Sequence, residues 1–280
     1  MLRLASALAR ILPNPAKRAL YKLGPLTGLI RNSLNRAVPV GLTETTVAGG
    51  VLQGARFQLD LRSEKDYWLG TYELDLQTAV RDWVKPGMTV YDVGANIGYI
   101  TVMLAQAVGE AGRVFSFEAL PANVERLRSN VALNPLANVT AIHAAVVSLP
   151  SPVRFHLHAS RGMGKAAGSA GRDEPSSGTI EVPGITLDHF VYEQGHPPPD
   201  LIKMDIEGGE TLALPGAART LREARPLLFL ELHGETAARA AWDTLTAAGY
   251  TLHRMTAGYP QISSLAELDW KAYVVAAANL

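Results

Sequence analysis

From Thr89 onward the chain alternates strand-like and helix-like segments, and this alternation constrains its fold more than any other feature. Thr89–Val93, Arg113–Glu118, Leu201–Met204 and residues 139–145 and 227–232 are short apolar, largely β-branched or aromatic runs, as expected of strands buried on both faces. Residues 97–108 have helical periodicity, and Pro121 opens a second helix to about residue 133, where its missing N–H costs nothing. Repeated strand, crossover helix and strand give a parallel sheet with helices on both faces. A helix over 236–248, stopped by Gly249, leads to strands at 250–255 and 272–276 that read as a closing antiparallel hairpin. The expectation is an α/β, Rossmann-like sheet of seven strands, mostly parallel.

The segments around this core are less regular. Gly49, Gly50 and Gly54 interrupt two β-like runs in 45–61, which suggests a hairpin, and 67–84 reads as one helix stopped by Pro86 and Gly87. Val153–His158 reads as an extra strand, 159–178 as a loop without apolar periodicity, 179–182 as a strand and 187–192 as a short helix. Before Glu44 there is no acidic residue, whereas Arg3, Arg10, Lys17, Arg18, Lys22, Arg31 and Arg36 are basic. Pro13, Pro15 and Pro25 break this arm into amphipathic pieces that either pack on the domain or dock on a membrane surface or partner. The chain divides into a basic arm and hairpin, 1–66, and an α/β domain, 67–280.

With 280 residues, 48% of them hydrophobic, the chain can bury a sizeable core. Its formal net charge of +0 offers no broad attraction for nucleic acid, and the absence of cysteine removes disulfides and thiolate chemistry. No apolar stretch is long enough to span a bilayer, and the opening segment lacks a signal-peptide pattern, so a cytoplasmic protein is expected, with possible peripheral membrane contact through the arm.

Asp92-Val93-Gly94-Ala95-Asn96-Ile97-Gly98 sits where an apolar strand passes into a helix. Gly94 and Gly98 let the backbone approach a ligand, and N–H groups at the helix start can meet its polar end. Glu118 ends the next strand, where a carboxylate can accept both hydroxyl hydrogens of an adenosine ribose. A dinucleotide site keeps a glycine where Asn96 stands. A smaller ligand with an amino acid end fits better, with its ammonium on Asp92 and backbone carbonyls; S-adenosylmethionine is such a ligand.

Together with Tyr99, Phe117-Glu118, Ile202-Lys203-Met204-Asp205-Ile206-Glu207-Gly208-Gly209-Glu210 and Glu231-Leu232-His233, this motif resembles the FkbM family of methyltransferases in residues, order and spacing. The resemblance covers about 72–233 and implies a class I methyltransferase fold and O-methyl transfer, commonly to sugars or polyketide-type products. Ile100 and Ala119 depart from the family pattern without removing a functional group. The cofactor set expected is Asp92, Gly94, Asn96, Gly98, Tyr99, Glu118, Ala119, Ala145, Val146 and, beside Tyr72, Glu73.

Asp205, Glu207 and His233 form the expected catalytic set, at the carboxyl ends of the fourth and fifth strands. A hydroxyl is a poor nucleophile, so a base that takes its proton helps; Asp205 and His233 are the two candidates. Glu210 reads as a cap or ion pair for the next helix. Two carboxylates and a histidine can also hold a divalent cation, a reading less favoured because no ligand spacing in the sequence specifies it. Arg161, Lys165 and Arg172 are candidate lid contacts to an acceptor. The competing functions are N-methylation of nucleic acid or a small molecule, nicotinamide-dependent oxidoreduction, and a non-catalytic cofactor-binding scaffold. No nucleic-acid partner is expected.

Overall fold

A computed structural model describes residues 40–158, 164–170 and 176–278 of the protein. The basic arm lies outside these residues. β1 (Leu42–Thr46) and β2 (Arg56–Asp60) form the antiparallel hairpin. Helices α1 (Lys65–Leu69) and α2 (Leu74–Trp83) follow. The single helix expected over 67–84 is thus two. Gly70 breaks it at φ +72°, and a Cβ there would lie 1.7 Å from the Gly49 carbonyl oxygen. The Gln77 amide clamps this corner, donating to the carbonyls of Gly70 and Tyr72 at 3.1 and 2.7 Å.

The core then runs β3 (Thr89–Val93), α3 (Tyr99–Val108), β4 (Arg113–Glu118), α4 (Pro121–Ala132) and β5 (Val139–His143). A two-residue β6 (Ala145–Val146) leaves the main sheet. A side sheet of β7 (Val153–His158), β8 (Gly164–Ala166) and β9 (Ser176–Val182) follows, and then β10 (Gly184–Ile185), which pairs with β6. Residues 159–178 therefore include β8 and the start of β9, which the loop reading missed. A strand as short as β8 has no room for periodicity, and it is seated by the close approach of Gly164, where a Cβ would meet the His156 carbonyl oxygen at 2.6 Å. The expected helix over 187–192 includes a wider, π-type turn over His189–Glu193.

β11 (Leu201–Met204), α5 (Glu210–Ala213), α6 (Ala218–Glu223), β12 (Leu227–His233), α7 (Glu235–Ala247), β13 (Thr251–Arg254), β14 (Gln261–Ile262) and β15 (Lys271–Ala277) complete the chain. The main sheet runs β14-β13-β15-β12-β11-β3-β4-β5 in space. β12, β11, β3, β4 and β5 are parallel, and β15 and β13 add antiparallel to one edge. These are the seven strands of the class I methyltransferase fold, extended by the two-residue β14.

Alternate strand residues supply separate cores. Val90, Val114, Leu201, Phe229 and Val275 pack on the hairpin, α2 and α3. Their neighbours Tyr91, Phe115, Ile202, Leu228 and Val274 pack on the other face with α6 and α7. The order reverses between β11 and β3, and ligands bind such sheets outside the carboxyl ends at that point. Among the described residues no helix is long and apolar enough to cross a membrane.

Candidate active site

At the carboxyl end of β3 the chain turns through Gly94 at φ +83°. A Cβ on Gly94 would fall 1.9 Å from the backbone oxygen of Asp205, so only glycine lets the β3 loop lie against the end of β11. Asn96 holds a left-handed φ of +49°, and its N–H donates to Glu118 Oε2 at 2.8 Å. Oε1 of the same carboxylate accepts from the N–H of Leu120 at 2.8 Å and from the Asn123 amide at 3.4 Å. Burial raises the pKa of Glu118 above the usual carboxylate range while these N–H groups oppose it. Oε2 accepts the one bond from the Asn96 N–H and so retains acceptor capacity.

Asp92 stands behind this loop, fully buried and outside the cleft lining. Thr101 donates its hydroxyl to Asp92 Oδ2 at 2.6 Å, and Lys203 Nζ lies 3.4 Å from Oδ1. The same Lys203 ammonium donates to the Gly94 carbonyl at 3.0 Å. Asp92 therefore braces the glycine turn through Lys203, a different position from the ammonium contact expected of it. Gly98 likewise serves packing: at φ +88°, a Cβ would meet Leu127 Cδ1 at 2.5 Å.

At the ends of β11 and β12 the carboxylates crowd. His233 Nε2 lies 3.0 Å from Glu231 Oε1, 3.7 Å from Glu207 Oε2 and 4.0 Å from Asp205 Oδ1. Lys271 pairs with the same Glu231 oxygen. Burial pulls the His233 pKa down, but the bond to Glu231 and the charges of Asp205 and Glu207 outweigh it and push it up to about 9. The imidazole is thus a cation at neutral pH. Burial drives the Asp205 pKa well above its ordinary value; Glu231 and Glu73 add to this, and Lys203 and His233 oppose it. Asp205, Glu231 and His233 each offer a ligand atom within 4.8 Å of the others, a spacing that a divalent cation can bridge.

One cleft joins the two groups, with about 920 Å³ of space that includes its opening to solvent. Of the expected cofactor residues Gly94, Asn96, Tyr99, Glu118, Ala119, Ala145 and Val146 line it. Asp92 and Gly98 do not, and Glu73 lines a smaller space together with Lys203, Asp205 and Glu231. Asp205 and Glu207 line the cleft, and His233 stands behind them. Glu210 is fully buried; its carboxylate accepts the Ile206 N–H at 3.1 Å and so fixes the turn that carries Glu207. The side sheet roofs the cleft with Phe155, Gly164 and Ala166, and the Ala170 N–H ties its loop to the Gly208 carbonyl at 3.0 Å. Arg161 and Arg172 lie outside the described residues, and Lys165 sits in β8 opposite His156.

Sequence reasoning missed Tyr67, Leu120, Asn123 and Lys203 as cleft residues and assigned no role to Glu231 or Lys271. A lysine inside an otherwise apolar strand, two residues before Asp205, was the available signal for Lys203.

Residues 92–252, more than half of the chain, match the methyltransferase FkbM domain. Hexuronic acid methyltransferase AglP of Haloferax volcanii is 27% identical over 179 residues, 62% of this chain and 64% of that protein. A protein-L-isoaspartate O-methyltransferase of Methanococcoides burtonii is 33% identical over 60 residues, 21% of this chain and 30% of that protein. The chain thus spans less than two thirds of the length of these curated relatives. A solved structure of methyltransferase FkbM from Methylobacillus flagellatus KT is similar over 78% of this chain and 53% of that one, with 17% identity and a TM-score of 0.43. The domain match, over the residues that build both the glycine turn and the acidic cluster, places the chain in the FkbM methyltransferase family.

Proposed function

We propose that the chain is an S-adenosylmethionine-dependent O-methyltransferase acting on a hydroxyl of a sugar, glycan or natural product. The observation that carries this reading is the single cleft lined both by the Gly94 turn with Glu118 and by Asp205. When bound, S-adenosylmethionine supplies a methyl group made electrophilic by its sulfonium. The cleft suits that cofactor: Gly94 leaves room for close approach, and Glu118 offers Oε2 where a ribose would sit. Among the lining residues the cationic side chain is Lys203, whose ammonium is engaged by Asp92 and Gly94. A dinucleotide site keeps a glycine where Asn96 stands, which speaks against a nicotinamide dinucleotide. The carboxylates speak equally against nucleic acid.

Asp205 is the group we assign to take the hydroxyl proton. A carboxylate whose pKa is raised is a stronger base, and Asp205 lies at the cleft surface. His233, already protonated and held by Glu231, acts as a fixed positive partner that orients Asp205. The name of the Haloferax volcanii relative supports a sugar acceptor. A second reading, in which a cation bridges Asp205, Glu231 and His233 and acidifies the hydroxyl, draws on their ligand spacing.

The test is incubation of the full chain with methyl-labelled S-adenosylmethionine and a panel of uronic-acid, neutral and amino glycans and polyketide-type alcohols, read by mass spectrometry. Label on an acceptor oxygen is expected. Label on nitrogen, or absence of cofactor binding by calorimetry, overturns the reading.

A further inference from the structure

Tyr67 from α1, Tyr72 from the α1–α2 corner and Tyr99 from the start of α3 come together although 32 residues of sequence separate the first from the last. Their ring centroids lie 4.3 Å (Tyr67 to Tyr72), 4.7 Å (Tyr67 to Tyr99) and 5.9 Å (Tyr72 to Tyr99) apart. All three line the cleft that holds Gly94, Glu118 and Asp205. Phe57 backs the group, with its centroid 5.2 Å from that of Tyr99.

Two further features mark this corner as more than core. The Tyr99 side chain is 2% exposed, yet its hydroxyl has no hydrogen-bond partner, so a buried polar atom lies at a cleft wall unanswered by protein. The surroundings are also acidic: the charges of Glu73 and Asp205 reach both Tyr67 and Tyr72. Burial and these charges keep both phenols neutral, so their rings retain electron-rich faces. Aromatic faces under a negative potential attract cations and repel anions.

We propose that Tyr67, Tyr72 and Tyr99 form an aromatic box that receives the positively charged sulfonium end of the methyl donor and discriminates it from the neutral thioether product. The inference rests on the cofactor reading above. Were the adenosine ribose held at Glu118 on β4 and the acceptor's proton taken by Asp205 on β11, the sulfonium would lie between them, in the cleft that the three tyrosines line. Loss of the methyl group removes the charge and with it the attraction, so the same box favours product release.

Calorimetry with S-adenosylmethionine and S-adenosylhomocysteine on the full chain tests this. Tyr67→Leu and Tyr72→Leu should weaken S-adenosylmethionine binding about tenfold and S-adenosylhomocysteine binding by less than about threefold. Tyr67→Phe and Tyr72→Phe, which keep the rings, should stay within about twofold of wild type for both. If the leucine variants do not fold, phenylalanines of increasing fluorination at position 72 replace them. S-adenosylmethionine affinity should then fall stepwise while product affinity stays level. Equal losses for both ligands, or a flat fluorination series, overturn the box while leaving the cofactor site standing. Absence of binding by either ligand to wild type removes the cofactor reading itself.

Discussion

The two halves of the cleft are built on opposite principles. On the β3–β4 side the charges are answered within the protein, Glu118 by three N–H donors and Asp92 by the Thr101 hydroxyl and the Lys203 ammonium, although Asp92 Oδ1 and the Tyr99 hydroxyl are buried without a hydrogen-bond partner. On the β11–β12 side three carboxylates, Asp205, Glu207 and Glu231, converge on one imidazole nitrogen. A satisfied half is stiff and suited to holding a ligand in place. A crowded half keeps proton affinities shifted, as proton transfer requires. The crowding of carboxylates around one cation, rather than strain or a displaced pKa alone, sets apart the half to which we assign proton transfer.

The largest effect should come from the crowded half. Asp205→Asn keeps size and loses the base, so kcat should fall about a hundred- to ten-thousand-fold while cofactor affinity, by calorimetry, is unchanged. Wild-type turnover should survive chelation. Loss on chelation with recovery on added magnesium or manganese would instead make the acidic half a cation site. A variant at wild-type rate on the true acceptor breaks the comparison outright.

The satisfied half should respond in binding. Glu118→Ala removes the ribose acceptor and leaves the Asn96 and Leu120 N–H groups unanswered. S-adenosylmethionine affinity should fall by roughly 2–3 kcal/mol, about 30- to 150-fold in Kd. Unchanged affinity in a folded variant would sink the ribose assignment.

How much of this was legible in the sequence follows the same division. The β3 and β4 strands announced themselves as apolar runs because both faces are buried, and Gly94 and Glu118 were singled out because they end those strands. Asp205 and His233 were singled out for the same reason, and parallel neighbours do bring those carboxyl ends together. The ion pair between Lys203 and Asp92 was not legible, because its partners are 111 residues apart and nothing local reports it. The helix break at Gly70 was hidden likewise: it depends on contact with Gly49 in another loop. Tyr67 escaped notice because a tyrosine at helical spacing reads as core until the fold turns it toward a cleft.

A pH profile sharpens the contrast further. His233 has a pKa raised from 6.5 to about 9, so its imidazolium persists below about 9 and is lost above it. If that charge orients Asp205, kcat should drop above pH 9 by about tenfold per unit, and His233→Gln should lower kcat and abolish this limb. An alkaline limb unchanged in His233→Gln would assign the titration to another group.

The smallest effect tests whether crowding costs stability. Glu210 is fully buried, and burial raises its pKa from 4.5 to about 7 against the opposing backbone N–H bonds. The sign is opposite to that of a salt-bridged acid. Below pH 4.5 the carboxyl is protonated folded or unfolded, and no penalty arises. Between 4.5 and 7 the unfolded chain ionises first, so stability falls as pH rises, and above 7 the full penalty is present. Glu210→Gln keeps an oxygen acceptor for the Ile206 N–H and removes the charge, at the cost of placing an amide NH2 where Oε2 has no partner. These terms partly cancel, and the variant should be more stable than wild type by about 1 kcal/mol at pH 8, with the advantage gone at pH 5. Urea unfolding at the two pH values measures it. A difference between variant and wild type that does not change with pH would mean that Glu210 carries no ionisation penalty, and that the acidic half is as well satisfied there as the half that carries Glu118.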